Sequence, residues 1–254
     1  MRQDLRTIRA LMRRGLNEIL RVPGGAVPGV VAPTIFMLGM AAVFGKVATL
    51  NSYHGVSFLA FILPVGMLQG AGFTGAATGV NLARDIERGW FDRLLLAPTP
   101  RPVLLAGFVA SASLRALLPA SFLFAVALAL GVRWPGVLAL GIAAILVMGL
   151  AAAMACYATL VALRFRTQQA APLMQVGSFI AVLFTTAYAP RDLLSGWLGA
   201  IADVNPVTHV LEGARQGFVG DVTWAATWPA LASIAGLVLV LGLLAVRGMG
   251  RQGL

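Results

Sequence analysis

The sequence predicts an all-α, polytopic membrane protein with about six transmembrane helices. Three observations carry that prediction. Apolar residues make up 59% of the 254 residues and charged residues only 11%, with a mean hydropathy of +0.87. Average soluble domains are about 45–50% apolar and about 25% charged. Six apolar segments are each long enough for a hydrocarbon core of roughly 30 Å, which takes about 20 helical residues. The charged residues cluster in the gaps between those segments. The 29 glycines and 13 prolines fit closely packed, locally broken helices whose neighbours satisfy the freed backbone groups. Residues 1–254 read as one transmembrane domain.

Residues 1–22 come first. Leu5, Ile8, Met12, Leu16 and Ile19 recur at steps of three and four, which defines one helical face. Arg2, Arg6, Arg9, Arg13, Arg14 and Arg21 fill most of the remainder. This is a basic amphipathic helix suited to an anionic membrane surface, with lipid as its partner. It is no signal peptide, because no small-residue cleavage site follows a short apolar core.

The expected spans cover residues 24–45, 58–80, 104–132, 137–163, 170–189 and 224–246. Gly66/Gly70 and Gly75/Gly79 in the second are small-xxx-small pairs, which predict close helix approach within the protomer or across a dimer. Arg115 falls inside the third span. Its side chain is expected to snorkel to the inner headgroups; the alternative is an anion- or substrate-facing arginine.

Arginine asymmetry sets the orientation. With the N-terminus inside, the cytoplasmic gaps hold the six N-terminal arginines, Arg84, Arg88, Arg93, Arg101, Arg164, Arg166, Arg247 and Arg251. The outer gaps hold Lys46, Arg133, Arg191 and Arg215. Both termini are expected in the cytoplasm. The formal charge of +10 is thereby accounted for by membrane topology, and nucleic acid is not an expected partner.

Residues 84–102, RDIERGWFDRLLLAPTPRP, form the most densely charged internal stretch. It must lie in water, because each charge at mid-bilayer costs roughly 2.5–3.5 kcal/mol. From Glu87 to Leu96 it reads as a short amphipathic helix, stopped by Pro98, Pro100 and Pro102. It is either a docking element or an interfacial helix that floats its Trp and Leu side chains at the headgroups. As a docking element, Phe91, Leu94 and Leu95 would fill a partner's groove, with Glu87, Asp92 and Arg93 at the rim.

Residues 190–223 are the only sizeable outer region. Leu193, Leu194, Trp197, Leu198 and Ile201 make one apolar face, and Val207, Val210, Leu211 and Ala214 another, on two short helices broken at Asn205-Pro206. This external hairpin is either an idle interfacial cap or a gate over an exit path.

Several chemistries are missing. No Gly-x-x-x-x-Gly-Lys-Ser/Thr loop occurs; Lys46, the single lysine, is followed by Val47. His54 and His209 sit in different loops, and Cys156 is the single cysteine, so no metal-ligand spacing arises. No Gly-x-Ser-x-Gly elbow appears. None of the nine carboxylates falls within an expected span, which argues against a proton-driven transporter. Gln69, Asn81, Gln175 and Tyr188 are the main polar groups near spans, and such groups mostly join helices.

The run ERGWFDRLLLAPTPRPVLLAG resembles the first coupling-helix region of ABC type-2 transporter permeases, in particular their daunorubicin/doxorubicin-resistance branch. That branch carries Glu-x-Gly-x-x-x-Arg-Leu-x-x-x-Pro, here Glu87, Gly89, Arg93, Leu94 and Pro98. Trp197, Asn205-Pro206 and Arg215 resemble its Trp…Asn-Pro…Arg pattern before the last span. Pro119 departs from the family pattern, which has a polar residue there. The resemblance implies an exporter permease that is not itself an enzyme. It would bind no cofactor; ATP and Mg would sit on a separate ABC ATPase subunit, in two copies, beside a second permease protomer. Coupling would run through Glu87, Arg88, Gly89, Phe91, Asp92, Arg93, Leu94, Leu95 and Pro98. Trp197, Asn205, Pro206 and Arg215 would form the external gate. The substrate would be amphipathic, drug-like or lipid-like, carried across a bacterial cell membrane. A channel or scaffold without ATP, and a membrane-embedded lipid-modifying enzyme, remain the other classes.

Overall fold

The computed structural model describes residues 2–21, 27–45, 57–96 and 99–251. Among them there are ten α-helices and no strand. They are α1 (Arg2–Arg21), α2 (Val27–Phe44), α3 (Phe58–Glu87), α4 (Trp90–Leu95), α5 (Arg101–Ala129), α6 (Val137–Phe165), α7 (Ala171–Leu183), α8 (Gly196–Val204), α9 (Pro206–Val219) and α10 (Trp224–Gly250). Pro98, Lys46 and His54 lie outside the described residues.

α3 is the centre of the bundle. It packs against α2, α5, α6, α7 and α9, and most of its residues are buried. Its apolar character runs all round the helix, as a fully surrounded helix requires. Ser57 starts it, with the hydroxyl accepting from the Ala60 N–H. α6 is the second axis, touching α3, α5, α9 and α10. α10 covers one side and leaves Leu239, Val240, Leu243 and Leu244 outward. α1 lies against α5.

The glycine pairs act within the protomer. A Cβ on Gly75 would stand 2.7 Å from the Ala151 carbonyl oxygen and 2.9 Å from the Ala155 nitrogen. One on Gly79 would stand 2.6 Å from both the carbonyl carbon and the oxygen of Ala158. Gly66 and Gly70 face α2 and α5 instead, and Gly70 lies against Pro119. The departing Pro119 is thus a buried packing residue opposite a glycine.

Among the described residues four helices, α3, α5, α6 and α10, are long and apolar enough to cross a membrane. α2 has 18 residues. The expected fifth span, 170–189, is helical only over the 13 residues of α7, about 20 Å at 1.5 Å per residue. Hydropathy registers that 184–189 carries no charge but not that its backbone leaves the helix.

Two buried clusters fill the interior. One gathers Phe58, Leu63, Leu68, Leu123, Leu146, Leu150, Val210 and Leu211. The other, at the end carrying α4, gathers Leu82, Ile86, Phe91, Leu105, Leu163, Met174 and Met249.

Candidate functional site

The stretch expected as one helix from Glu87 to Leu96 is two pieces. Glu87 is the last residue of α3, and α4 begins at Trp90. Gly89 sits between them at φ +68°, a left-handed conformation that glycine adopts without a Cβ penalty. The break is what turns α4 away from the axis of α3.

α4 is anchored by the residue expected to leave it. Phe91 is 1% exposed and packs into the protein's own cluster with Ile86 and Leu163. It does not offer its ring to a partner's groove, because it is already enclosed by that cluster. Leu94 and Leu95 are half-buried against the same cluster. Arg88, Asp92, Arg93 and Leu96 face outward, and Leu96 is 86% exposed.

Two further ties fix this unit. Arg14 of α1 donates to both carboxylate oxygens of Asp85, at 2.7 and 2.8 Å, and its guanidinium lies 3.8 Å above the Trp90 ring. Glu87 accepts from Thr167 Oγ1 at 2.7 Å, the Gln168 N–H at 2.9 Å and Gln168 Nε2 at 2.5 Å. Arg84 Nε donates to Gln168 Oε1 at 3.0 Å. Glu87 is exposed and lies beyond the apolar part of α3. Its bonds from the Gln168 side chain, the Gln168 N–H and Thr167 hold its carboxyl below the ordinary value of 4.5, with Arg84 adding attraction. A depressed carboxyl keeps its partners at neutral pH and releases them only as pH falls below that ordinary value.

Arg115 does not snorkel. It is 6% exposed, and its Nη2 donates to Thr78 Oγ1 at 2.5 Å. It lines a cavity of about 30 Å³ together with Arg14, Thr78, Asn81, Asp85 and Ser111. The packing of α1 and α3 against α5 encloses the side chain before it can reach a headgroup.

At the far end, 190–223 forms the expected pair of helices, α8 and α9, meeting at Asn205-Pro206. α9 packs against α3, α6 and α10 and buries Val207, Val210, Leu211 and Ala214. α8 buries only Ala202. Asn205 joins three elements. Its Nδ2 donates to the Ala181 and Phe184 carbonyls at the end of α7, at 2.9 and 2.8 Å. Its Oδ1 accepts from the Val207 N–H at 3.0 Å, the N-cap of α9, with Pro206 in the first turn.

Arg215 is buried. Nε donates to the Phe61 carbonyl at 3.1 Å, Nη1 to Thr186 at 2.9 Å and Nη2 to Ala187 at 2.9 Å. The guanidinium also stacks 3.7 Å from the Phe61 ring. The non-helical segment after α7 therefore gets its hydrogen bonds from a side chain, a requirement for irregular backbone at membrane depth. Trp197 is 63% exposed and meets Phe184 edge-on at 6.4 Å between ring centres. Gln69 Nε2 donates to the Tyr188 hydroxyl at 3.0 Å, which ties α3 to the non-helical segment after α7 and does not join two helices.

Sequence reading missed Leu11, Arg14, Arg166, Thr167 and Gln168. Two signals were available. Arg2, Arg6, Arg9 and Arg13 repeat on one face, and Arg14 falls off it by a residue, so it points elsewhere. Thr167 followed by Pro172 marks a helix start. On α1, Leu5 is exposed while Leu11 packs on Gly107, so the docked face is rotated from the expected apolar stripe. Among the described residues no His/Cys/Asp/Glu group could hold a metal ion.

A daunorubicin resistance ABC transporter permease protein of Streptomyces coeruleorubidus is 26% identical over 237 residues, covering 92% of this chain and 82% of the relative. A probable doxorubicin resistance ABC transporter permease protein of Mycobacterium tuberculosis is 25% identical over 240 residues, covering 88% and 83%. A putative transport permease of Cyanophora paradoxa is 26% identical over 208 residues, covering 81% and 71%. These relatives are named as permeases, in keeping with a chain that is not itself an enzyme. The family model described as ABC-2 type transporter matches residues 6–219, from the N-terminal helix to the last residue of α9, and the chain is an integral membrane protein belonging to that family.

Proposed function

We propose that this permease is the membrane subunit of an ATP-driven exporter, and that α4 docks on a separate ABC ATPase subunit. The observation that carries the reading is the two-sided character of α4. Its inner side is fixed by Phe91, while Asp92 and Arg93 stand outward, flanked by the exposed Arg88 before the helix and Leu96 after it. An apolar tip within a charged rim is the composition of a protein-protein anchor. Two ATPase copies, holding ATP and Mg, would serve two permease protomers. The cargo would be amphipathic, drug-like or lipid-like, because an apolar interior offers mainly van der Waals contact. The drug-resistance names of the relatives support that cargo class.

The test is co-purification of the ATPase with permease variants in nanodiscs. Leu96→Asp should reduce retained ATPase by roughly thirtyfold or more, the worth of an interface anchor of about 2 kcal/mol. Arg93→Ala should do less, since rim charges act more on rate and orientation. Phe91→Ala should instead lower the amount of folded permease, because emptying a buried phenylalanine site costs about 3–5 kcal/mol. If Leu96→Asp retains the ATPase in full, α4 is an interfacial helix and the docking reading fails.

The same reading puts α4 and both termini in the cytoplasm of a bacterial cell. In a Cys156→Ala background, Gly196→Cys should react with an impermeant thiol reagent added to intact cells, and Thr99→Cys should not. The reverse pattern would invert the orientation.

A further inference from the structure

α9 carries a carboxylate to membrane depth. The expected spans leave Glu212 in the outer hairpin, but α9 does not rest on top of those spans. A Cβ on Gly213, the next residue, would meet Ala230 of α10 and Leu146 of α6. Ala230 is six residues past Trp224, where α10 starts, and Leu146 nine past Val137, where α6 starts. At 1.5 Å per residue that is about 9 and about 13 Å below the helix ends. Gly217, one turn later, lies against Ala139 near the start of α6, so α9 rises from that depth toward the surface. An ionisable group this deep faces a protein interior or a water-filled path, not hydrocarbon.

Glu212 is exposed, while Leu211, Gly213, Ala214 and Arg215 around it are buried. Among the described residues its one hydrogen bond comes from Thr186 Oγ1, at 3.3 Å, and it has no ion pair. Arg215, one turn on, is committed to the Phe61, Thr186 and Ala187 carbonyls. Asn205, the exposed His209 and Glu212 follow at i, i+4 and i+7, so they share one face of the helix. About 10 Å along that face from Glu212, Asn205 joins Ile180, Phe184, Ile201 and Val204 in lining an open apolar groove of about 480 Å³. A negative charge and an apolar bed thus lie at two ends of one helix face. A metal ion does not fit here. Hard cations such as calcium take about six to eight oxygen ligands, and among the described residues no group of three or more His, Cys, Asp or Glu comes together. An organic cation needs one counter-charge and brings its own apolar body.

We propose that Glu212 binds the positively charged group of an amphipathic cargo, whose apolar body lies in the groove between α7 and α8. This rests on the exporter reading above and narrows its cargo to organic cations. Thr186 is a positioning residue: its hydroxyl holds the carboxylate and its carbonyl is held by Arg215.

The test is binding of tetraphenylphosphonium, a lipophilic cation, to the purified permease in nanodiscs without ATP. Triphenylphosphine oxide is the uncharged counterpart. Glu212→Gln should weaken tetraphenylphosphonium binding by roughly tenfold or more and leave triphenylphosphine oxide unaffected. Its amount and thermal midpoint should match the parent, because glutamine still accepts from Thr186. Glu212→Asp should keep the preference for the cation, and Ile201→Ser should weaken both probes alike. Equal binding of the cation by the parent and Glu212→Gln would overturn the proposal. So would equal loss of both probes from Glu212→Gln, which makes the carboxylate structural, or a changed oligomeric state of that variant, which makes it a contact between copies. Unaltered binding by Ile201→Ser would remove the groove from the site and overturn the proposal as well. Binding is read without ATP, so each of these outcomes leaves the exporter reading standing. A parent that prefers the cation yet brings down no ATPase overturns the exporter reading alone.

Discussion

Gly79→Ala should destabilise the folded permease by about 1–3 kcal/mol or more, although it adds a single methyl group. The added carbon would stand 2.6 Å from the carbonyl carbon and oxygen of Ala158. Those are backbone atoms, so no rotamer change relieves the overlap, and α3 must move away from α6. Gly75→Ala should behave alike, because it meets the Ala151 carbonyl and the Ala155 nitrogen. Gly39→Ala on α2 is the control. Nothing lies within 4 Å of its added carbon, and alanine favours a helix over glycine by roughly 1 kcal/mol. Thermal unfolding of the purified proteins in detergent measures all three. Equal midpoints for Gly79→Ala and the parent would show that the α3–α6 approach is looser than described.

Arg215→Ala should be nearly as damaging, for a different reason. It strips the donors from the carbonyls of Phe61, Thr186 and Ala187. Each buried acceptor left without its bond costs about 1–3 kcal/mol. The 186 and 187 carbonyls belong to backbone outside α7, so no helical N–H replaces the lost one. Arg215→Lys should not rescue the protein, since an ammonium lacks the planar fork that reaches several acceptors at once. Trp197→Ala supplies the contrast. Its ring is exposed and meets Phe184 at an edge, so the variant should accumulate normally while altering transport or basal ATP hydrolysis. Membrane accumulation and stimulated hydrolysis, measured side by side, check both. If Trp197→Ala fails to accumulate, α8 is structural and a gating role for it loses its support.

Helix existence was legible from hydropathy, because lipid and buried spans demand the same apolar run. Asn205-Pro206 was legible too, since an amide followed by proline starts a helix by local chemistry. Phe91 was not. An apolar residue on an amphipathic helix reads the same whether it is buried in its own chain or in a partner. α7 was overextended for a related reason: residues 184–189 stay uncharged after the backbone has left the helix, and the group that satisfies that backbone, Arg215, lies about thirty residues away in sequence. Arg115 was misplaced because its surroundings come from α1 and α3, distant elements that no local pattern names.

The dovetail of Gly75 and Gly79 into α6 has a mechanical consequence. Lateral clearance between the two backbones is already used up there, so α3 and α6 behave as one strut. A push arriving at Glu87 cannot bend α3 away from α6 without parting main chain from main chain. It can tilt the pair as a body, and the far end of that lever is Phe58, close to the Phe61 carbonyl that Arg215 holds. Compliance is left to α8, whose Gly196 and Gly199 meet nothing within 4 Å, because α7 and α9 are themselves held against α6 through Gly177 and Gly217.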